Sequence, residues 1–422
     1  MLGNPNPRTR HAIVIFLAGW STLMLLQTLV PRTADRARSV DYDILVESVH
    51  EGRPFRGPGQ EKLLTHPPVF PLVLAAGYSA ADTVGLARSL AYRWFAAALL
   101  SMCGALVFLI AARWTQVLPA TICAIAVMLH PFSFVATTTP LSGLLFTALL
   151  LAALHQVVVS FHEPPHAVRA ARIGVITGLA LLTRAIAILL PVVVGFWMVA
   201  HALRNTSATT LRSRLLVPTI YALTMAMTVS IWPAWTTMEF GQPTLLSNRG
   251  GRALRDGLSL NLKDFREPIK LSPRLQELQQ RTDAVYTTLD APSRYLAYLG
   301  SEARRDPIAV AELFFLKARR AWYGLDSQDA RRERIGRIVS LGYVLPSLLA
   351  IWLLFRRHRS APLSSSDLLV LGTLLSIVLL FWGMTTISAS LARYMIPAYS
   401  LLPLVWAIAW AGRLRAEHTA AS

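Results

Sequence analysis

The chain has 422 residues, 54% hydrophobic and 15% charged, with a positive mean hydropathy, and this composition excludes an ordinary soluble globular protein. Its formal net charge of +18 would suggest nucleic-acid binding in a soluble chain, but the basic residues gather at the ends of apolar runs; membrane topology accounts for them, and no nucleic-acid partner is expected. Both cysteines, Cys103 and Cys123, fall inside apolar runs, which leaves the polar loops without a disulfide or a thiolate metal site.

Apolar runs recur at the length of roughly 20 residues that crosses a bilayer as helix, so the fold class is an all-α polytopic membrane protein with about ten transmembrane helices. The expected spans are 11–31, 88–112, 117–135, 141–160, 172–186, 188–203, 214–236, 338–355, 366–388 and 394–412. The first run, His11 to Val30, follows Arg8 and Arg10; it is long for a signal-peptide core and no small-residue cleavage site follows, so it reads as a retained span. Arg172 to Leu203 is too long for one ordinary span and short for two, with Arg184 near its middle. Charge bias decides for a hairpin. The inner ends and loops then hold Arg8, Arg10, Arg113, Arg169, Arg172, Arg204, Arg212, Arg214, Arg356, Arg357, Arg359, Arg413 and Arg415, against Glu163, Asp367 and Glu417. A single span would put the RRHR run at 356–359 outside, against the positive-inside tendency. Both termini are therefore expected in the cytoplasm of a multi-pass plasma-membrane protein, whose chain 1–422 reads as one membrane domain: a first span (1–31), spans 2 to 7 (88–236) and spans 8 to 10 (338–422), with two long outer loops at 32–87 and 237–337.

Connections elsewhere are short, so chemistry is expected in the two long loops. Residues 42–51 put Leu45, Val46 and Val49 on one helical face and Asp43, Glu47, His50 and Glu51 on another, the pattern of a helix lying on a membrane surface. Residues 306–323 open with Asp306-Pro307, a cap and first-turn pair, and continue through Leu313, Phe314, Leu316 and Trp322 with Lys317, Arg319 and Arg320 interleaved, a second interfacial helix.

Five stretches carry candidate chemistry. In SVDYDILVESVHEGRPF (39–55), Asp41 is placed to cap the helix starting near Tyr42, and Asp43, Glu47 and Glu51 to form its wet face. The chemical alternative is that a carboxylate just outside a first span, at the mouth of a cavity, serves as general base for an acceptor hydroxyl. In THPPVFPLV (65–73) the prolines suit a rigid entry into an interfacial helix, and His66 beside that helix start can meet a phosphate or a sugar hydroxyl. No neighbouring ligand spacing supports a metal. LLSNRGGRALRDG (245–257) joins Asn248, Gly250 and Gly251 to Arg249, Arg252, Arg255 and Asp256: glycines permit close backbone approach and guanidinium forks match phosphate oxygens, whereas the bland reading is a solvated turn. It lacks the spacing of a nucleotide-binding loop. Finally, GLALLTRAI (178–186) sets Arg184 at the hairpin tip and SLARYMIP (390–397) sets Arg393 at the outer end of the last span. Arginines at helix ends often only snorkel to headgroups, but converging on one cavity with the 249–255 cluster these would make an anion site at the depth of a lipid phosphate.

Taken in order, these pieces resemble the dolichyl-phosphate-mannose protein mannosyltransferase superfamily, a branch of the GT-C glycosyltransferases that includes bacterial lipid A aminoarabinose transferases. YDILVESVHEGRPF looks like that family's first-loop segment, THPPVFPLVLA like its HPP stretch and PLSGLLFTALLLAAL like a following span; GLALLTRAIAILLP, LLSNRGGRALRDG, DPIAVAELFFLKARRAW and RYMIPAYSLLPL continue the series over nearly the whole chain. The resemblance implies a multispanning inverting transferase that moves a sugar from a polyprenyl phosphate to an acceptor (protein, lipid or polysaccharide) on the outer face, with membrane lipids as partners and no cofactor. It also implies a catalytic acid a few residues before the tyrosine matching Tyr42, where this chain reads Asp35-Arg36-Ala37-Arg38-Ser39-Val40-Asp41. Asp41 is the preferred acid, then Asp43, then Asp35; His66, Arg184, Asn248, Arg249, Arg252 and Arg393 are the expected substrate-binding residues. The rival functions are a transporter or flippase, which would place ionisable residues and broken helices near the midplane, and a catalytically inactive polyprenyl-phosphate-binding protein.

Overall fold

The computed structural model describes residues 6–29, 40–164, 166–204, 210–248, 254–255, 257–258, 271–289, 291–325, 330–358 and 363–421. They form an all-helical protein whose long helices are α1 (Pro7–Leu29), α4 (Arg88–Ala111), α7 (Gly143–His162), α9 (Leu190–Arg204), α10 (Leu211–Phe240), α14 (Ala330–His358), α15 (Ser365–Ile387) and α16 (Ile396–Ala421). Shorter ones are α2 (Val40–His50), α3 (Val69–Thr83), α5 (Val117–Met128), α6 (Pro131–Val135), α8 (Ala167–Leu181), α11 (Pro273–Val285), α12 (Pro292–Arg305) and α13 (Pro307–Arg320).

Among the described residues seven helical stretches are long and apolar enough to cross a membrane: Pro7–Thr28, Arg88–Ala111, Gly143–His162, Ala185–Arg204, Arg214–Phe240, Glu333–Arg356 and Ser365–Ile387. The other three expected spans are shorter helices, each for a local reason. The 117–135 run is cut at His130-Pro131, because proline offers no N–H and pushes its predecessor out of the helical region; His130 has ψ 120° and Pro131 opens α6. The 172–186 run is α8, which at 15 residues is about 22 Å long and carries Arg169 and Arg172 in its first two turns. The 394–412 run follows a 3-10 turn at Ala392–Tyr394, which leaves Ile396–Ala411 as its apolar part. The expected break inside Arg172–Leu203 is present: α8 ends at Leu181, a 3-10 turn spans Ala185–Ala187, and α9 begins at Leu190.

Helix ends sort onto two faces as alternating spans require. On one face the ends of α4, α7, α8 and α15 meet: Trp114 Nε1 donates to Asp367 Oδ1 at 2.7 Å, His162 Nε2 lies 3.3 Å from the same oxygen, and Glu163 pairs with Arg113 (3.4 Å) and Arg169 (2.7 Å). All of these are ends expected to be cytoplasmic. The opposite face carries α2, α3 and α11–α13. Two of the short helices there start on side-chain caps: Ser272 Oγ accepts from Leu275 N (3.2 Å) ahead of Pro273, and Asp306 Oδ1, the expected cap, accepts from Ala309 N (3.0 Å) ahead of Pro307. Leu258, Leu275, Leu278, Tyr295 and Leu313 close a small core of their own beneath α11–α13, separate from the bundle core. A buried ion pair, Arg320–Glu333 at 2.7 Å with each side chain at most 5% exposed, ties α13 to α14.

Helix α8 packs closely against α10. A methyl group added at Gly174 would meet Thr224 Oγ1 and lie 2.6 Å from Tyr221 O; at Gly178 it would lie 2.8 Å from Thr228 Cβ. This is a small-xxx-small seam, in which backbones approach because no side chain intervenes. It holds α8, and with it the Arg184 turn, against the bundle.

Candidate active site

The site is assembled on the loop-bearing face by backbone bonds between distant segments. Val69 N–H, at the start of α3, donates to Leu182 O at the end of α8 (3.1 Å), and Asn248 N–H donates to Leu64 O (2.8 Å). The HPP stretch thereby bridges the Arg184 turn and the Asn248 loop. His66 stacks on Tyr42 of α2 at 4.4 Å between ring centroids, and Tyr42 meets Phe70 of α3 edge-on at 4.9 Å.

Arg184 occupies the extended residue (φ −153°, ψ 113°) that leads into the Ala185–Ala187 turn, an orientation that lifts its side chain out of the helical ladder. Its Cζ sits 4.7 Å from the Tyr394 ring centroid, and Tyr394, Tyr42 and Arg393 are the groups that act on it electrostatically. Arg393 joins the same ring from 5.2 Å and its Nη2 donates to Tyr394 Oη at 3.4 Å. Gly143, at the start of α7, leaves the room Arg184 uses: a methyl there would lie 3.1 Å from Nη1. Arg184 Nη1 is buried and has no hydrogen-bond partner among the described residues. A buried guanidinium nitrogen with an unused donor is costly unless something accepts from it, and an anion is the acceptor that suits it.

Arg184 and Arg393 meet at the Tyr394 ring, and Tyr42, which acts on Arg184 and carries His66 on its own ring, links His66 to the same region; neither tyrosine is among the expected site residues. The available signal was an aromatic beside each motif: Tyr42 next to the acids and Tyr394 next to Arg393. Asn248 is linked through its backbone, with an exposed side chain. Arg249 and Arg252 lie outside the described residues. Two expectations about α2 change. The helix already includes Val40, so Asp41 lies in its first turn and does not precede it, and a carboxylate in a first turn is favoured by the dipole. The Asp41 side chain is outside the described residues. Asp43 is half-buried and turned toward α3, where burial first and the Asp43 charge second push the Tyr78 phenol up to about 12. Glu47 and Glu51 form the exposed face as expected, pairing with Arg88 (3.3 Å) and Arg53 respectively, and His50 faces Ala75 O at 3.1 Å. Among the described residues no group of three or more His, Cys, Asp or Glu side chains is positioned to hold a metal ion.

The fold is that of an all-α, polytopic membrane protein. No family model matches the chain and no curated protein sequence matches it. Among solved structures, the apo oligosaccharyltransferase of Archaeoglobus fulgidus superposes with a TM-score of 0.53 at 10% identity over 93% of this chain and 50% of that one. Its complex with Zn and sulfate gives 0.50 at 10% identity over 89% and 46%. ArnT from Cupriavidus metallidurans bound to undecaprenyl phosphate gives 0.43 at 15% identity over 94% and 77%. The chain thus spans about half the length of the oligosaccharyltransferase whose fold it shares.

Proposed function

We propose that the protein is an inverting membrane glycosyltransferase that moves a sugar from a polyprenyl phosphate to an acceptor hydroxyl or similar group on the extracytoplasmic face of the plasma membrane. The observation that carries this reading is Arg184, whose buried Nη1 lacks an acceptor among the described residues while Arg393 shares its aromatic partner at the loop-bearing end of the bundle. That end is where a lipid phosphate lies when its tail stays in the bilayer. The excess of arginine at the opposite helix ends supports an outward-facing site and cytoplasmic termini.

In this mechanism Asp41, with Asp43 the second candidate, takes the proton of the acceptor hydroxyl as its oxygen attacks the anomeric carbon from the side opposite the phosphate. The bond from the anomeric carbon to the phosphate oxygen breaks, and the departing phosphate gains a negative charge. Arg184, Arg393, Arg249 and Arg252 receive that charge, so they bind the transition state more tightly than the donor. His66 and Asn248 orient the donor. No soluble sugar nucleotide is needed. An inactive polyprenyl-phosphate-binding protein would use the same arginines without the acid, and the test separates the two.

The test is incubation of the purified protein, in nanodiscs with acceptor-containing membranes, with a panel of polyprenyl-phosphate sugars, scoring released polyprenyl phosphate. Turnover is expected with at least one donor, and Asp41→Asn is expected to abolish it with membrane insertion intact. Binding of polyprenyl phosphate without turnover across the panel leaves only the binding protein, and full activity of Asp41→Asn removes Asp41 from the mechanism.

A further inference from the structure

One ring serves two like charges in this site. The guanidiniums of Arg184 and Arg393 lie 4.7 and 5.2 Å from the centroid of Tyr394, and Arg393 also donates to the Tyr394 hydroxyl at 3.4 Å. Two cations drawn to one place repel, and the described residues offer Arg184 no carboxylate to offset that repulsion. The electron-rich face of an aromatic ring attracts a guanidinium without consuming its N–H donors, and Arg184 Nη1 is buried with no acceptor among the described residues. A carboxylate in the same position would neutralise the site and compete with an anionic ligand. Tyr394 is also fixed where it stands: it closes the Ala392–Tyr394 turn, and Ala392 N–H is bonded to Gly324 O at 2.8 Å. The residue is thus anchored by backbone while its ring gathers side chains from the α8–α9 turn and from its own.

We propose that Tyr394 is the positioning residue of the anion site: its ring holds the Arg184 and Arg393 guanidiniums side by side so that both address one phosphate monoester. This rests on the reading above that the arginines hold a lipid phosphate. The ring is the working part, with the hydroxyl adding one bond to Arg393.

Binding of farnesyl phosphate and of farnesol to the full-length protein in nanodiscs tests both layers separately. The wild type is expected to prefer the phosphate by at least tenfold. Tyr394→Phe is expected to keep that preference within threefold, and Tyr394→Leu to lose most of it while its affinity for farnesol and its melting temperature stay at the wild-type values. A purely packing role would lower farnesol binding and melting temperature together and leave the phosphate preference alone. A wild type without phosphate preference overturns the lipid-phosphate reading itself. A wild type with the preference, retained in full by Tyr394→Leu, overturns the role of Tyr394, and loss of it in Tyr394→Phe overturns the claim that the ring is what matters. Should the leucine variant fail to fold, Tyr394→Met takes its place with the same two outcomes.

Discussion

Lys317 on α13 makes a prediction that its surroundings quantify. The side chain is 1% exposed; Nζ donates to Gly257 O and to Ile387 O (3.2 Å), the latter the last residue of α15, and the Phe314 ring lies 5.4 Å away. A cation at a helix C-terminus is favourable, yet burial outweighs this and pulls the ammonium down from 10.5 to about 7. A displacement of that size corresponds to about 5 kcal/mol against the charged form. The sign follows from linkage. The folded state releases the proton near pH 7 and the unfolded state near 10.5, so between these values the unfolded chain holds more protons and stability rises with pH; below pH 7 both states are protonated and the full cost is present. From pH 7 to pH 9 the wild type should gain about 2 kcal/mol relative to Lys317→Met, which has no proton to release. At pH 7 the substitution itself has a small net effect. It relieves the ammonium cost but strands two carbonyls, each worth about 1–3 kcal/mol, so the slope is the diagnostic and the single-pH difference is not. Equilibrium unfolding of both proteins in bicelles at pH 6, 7, 8 and 9 measures it. Parallel profiles, with a difference that changes by less than about 0.5 kcal/mol over that range, would refute the argument that Lys317 is buried uncompensated.

Two further predictions concern packing. Gly174→Ala places a methyl 2.6 Å from the Tyr221 carbonyl and should destabilise by about 1–3 kcal/mol, whereas Gly342→Ala, with nothing within 4 Å, should be neutral or slightly stabilising; thermal melts of the two variants decide it. Glu333→Gln leaves Arg320 buried beside a neutral partner and should cost about 3–5 kcal/mol, part of which the double variant Arg320→Met/Glu333→Leu should recover; a single variant as stable as the wild type would show that the pair is not desolvated.

Much of this protein is legible in its sequence because the relevant physics is local. Bilayer-length apolar runs fix the class and the approximate helices, Asp306-Pro307 fixes a helix start through its own cap bond, and the 3.6-residue period of 42–51 places Glu47 and Glu51 on the exposed face, though not Asp43, which packing half-buries. Charge at helix ends is what the sequence offers for ordering the spans, and the Trp114–Asp367 and Arg169–Glu163 contacts join helix ends expected on one face. The apolar run at 117–135 is longer than its helix because a hydropathy window does not register that Pro131 has no N–H to give. What no local rule supplies is which side chains meet. Arg184 and Arg393 are brought to one ring by the Gly174–Gly178 seam, the Val69–Leu182 bond and the turn before α16, each of which depends on faces packing across long separations. The state of Lys317 was equally out of reach, since α13 carries alternating basic and apolar residues that read as an interfacial helix, and only its packing against α15 removes that one lysine from water. Composition determines that a side chain carries charge; tertiary structure decides whether solvent, a partner or a substrate answers it.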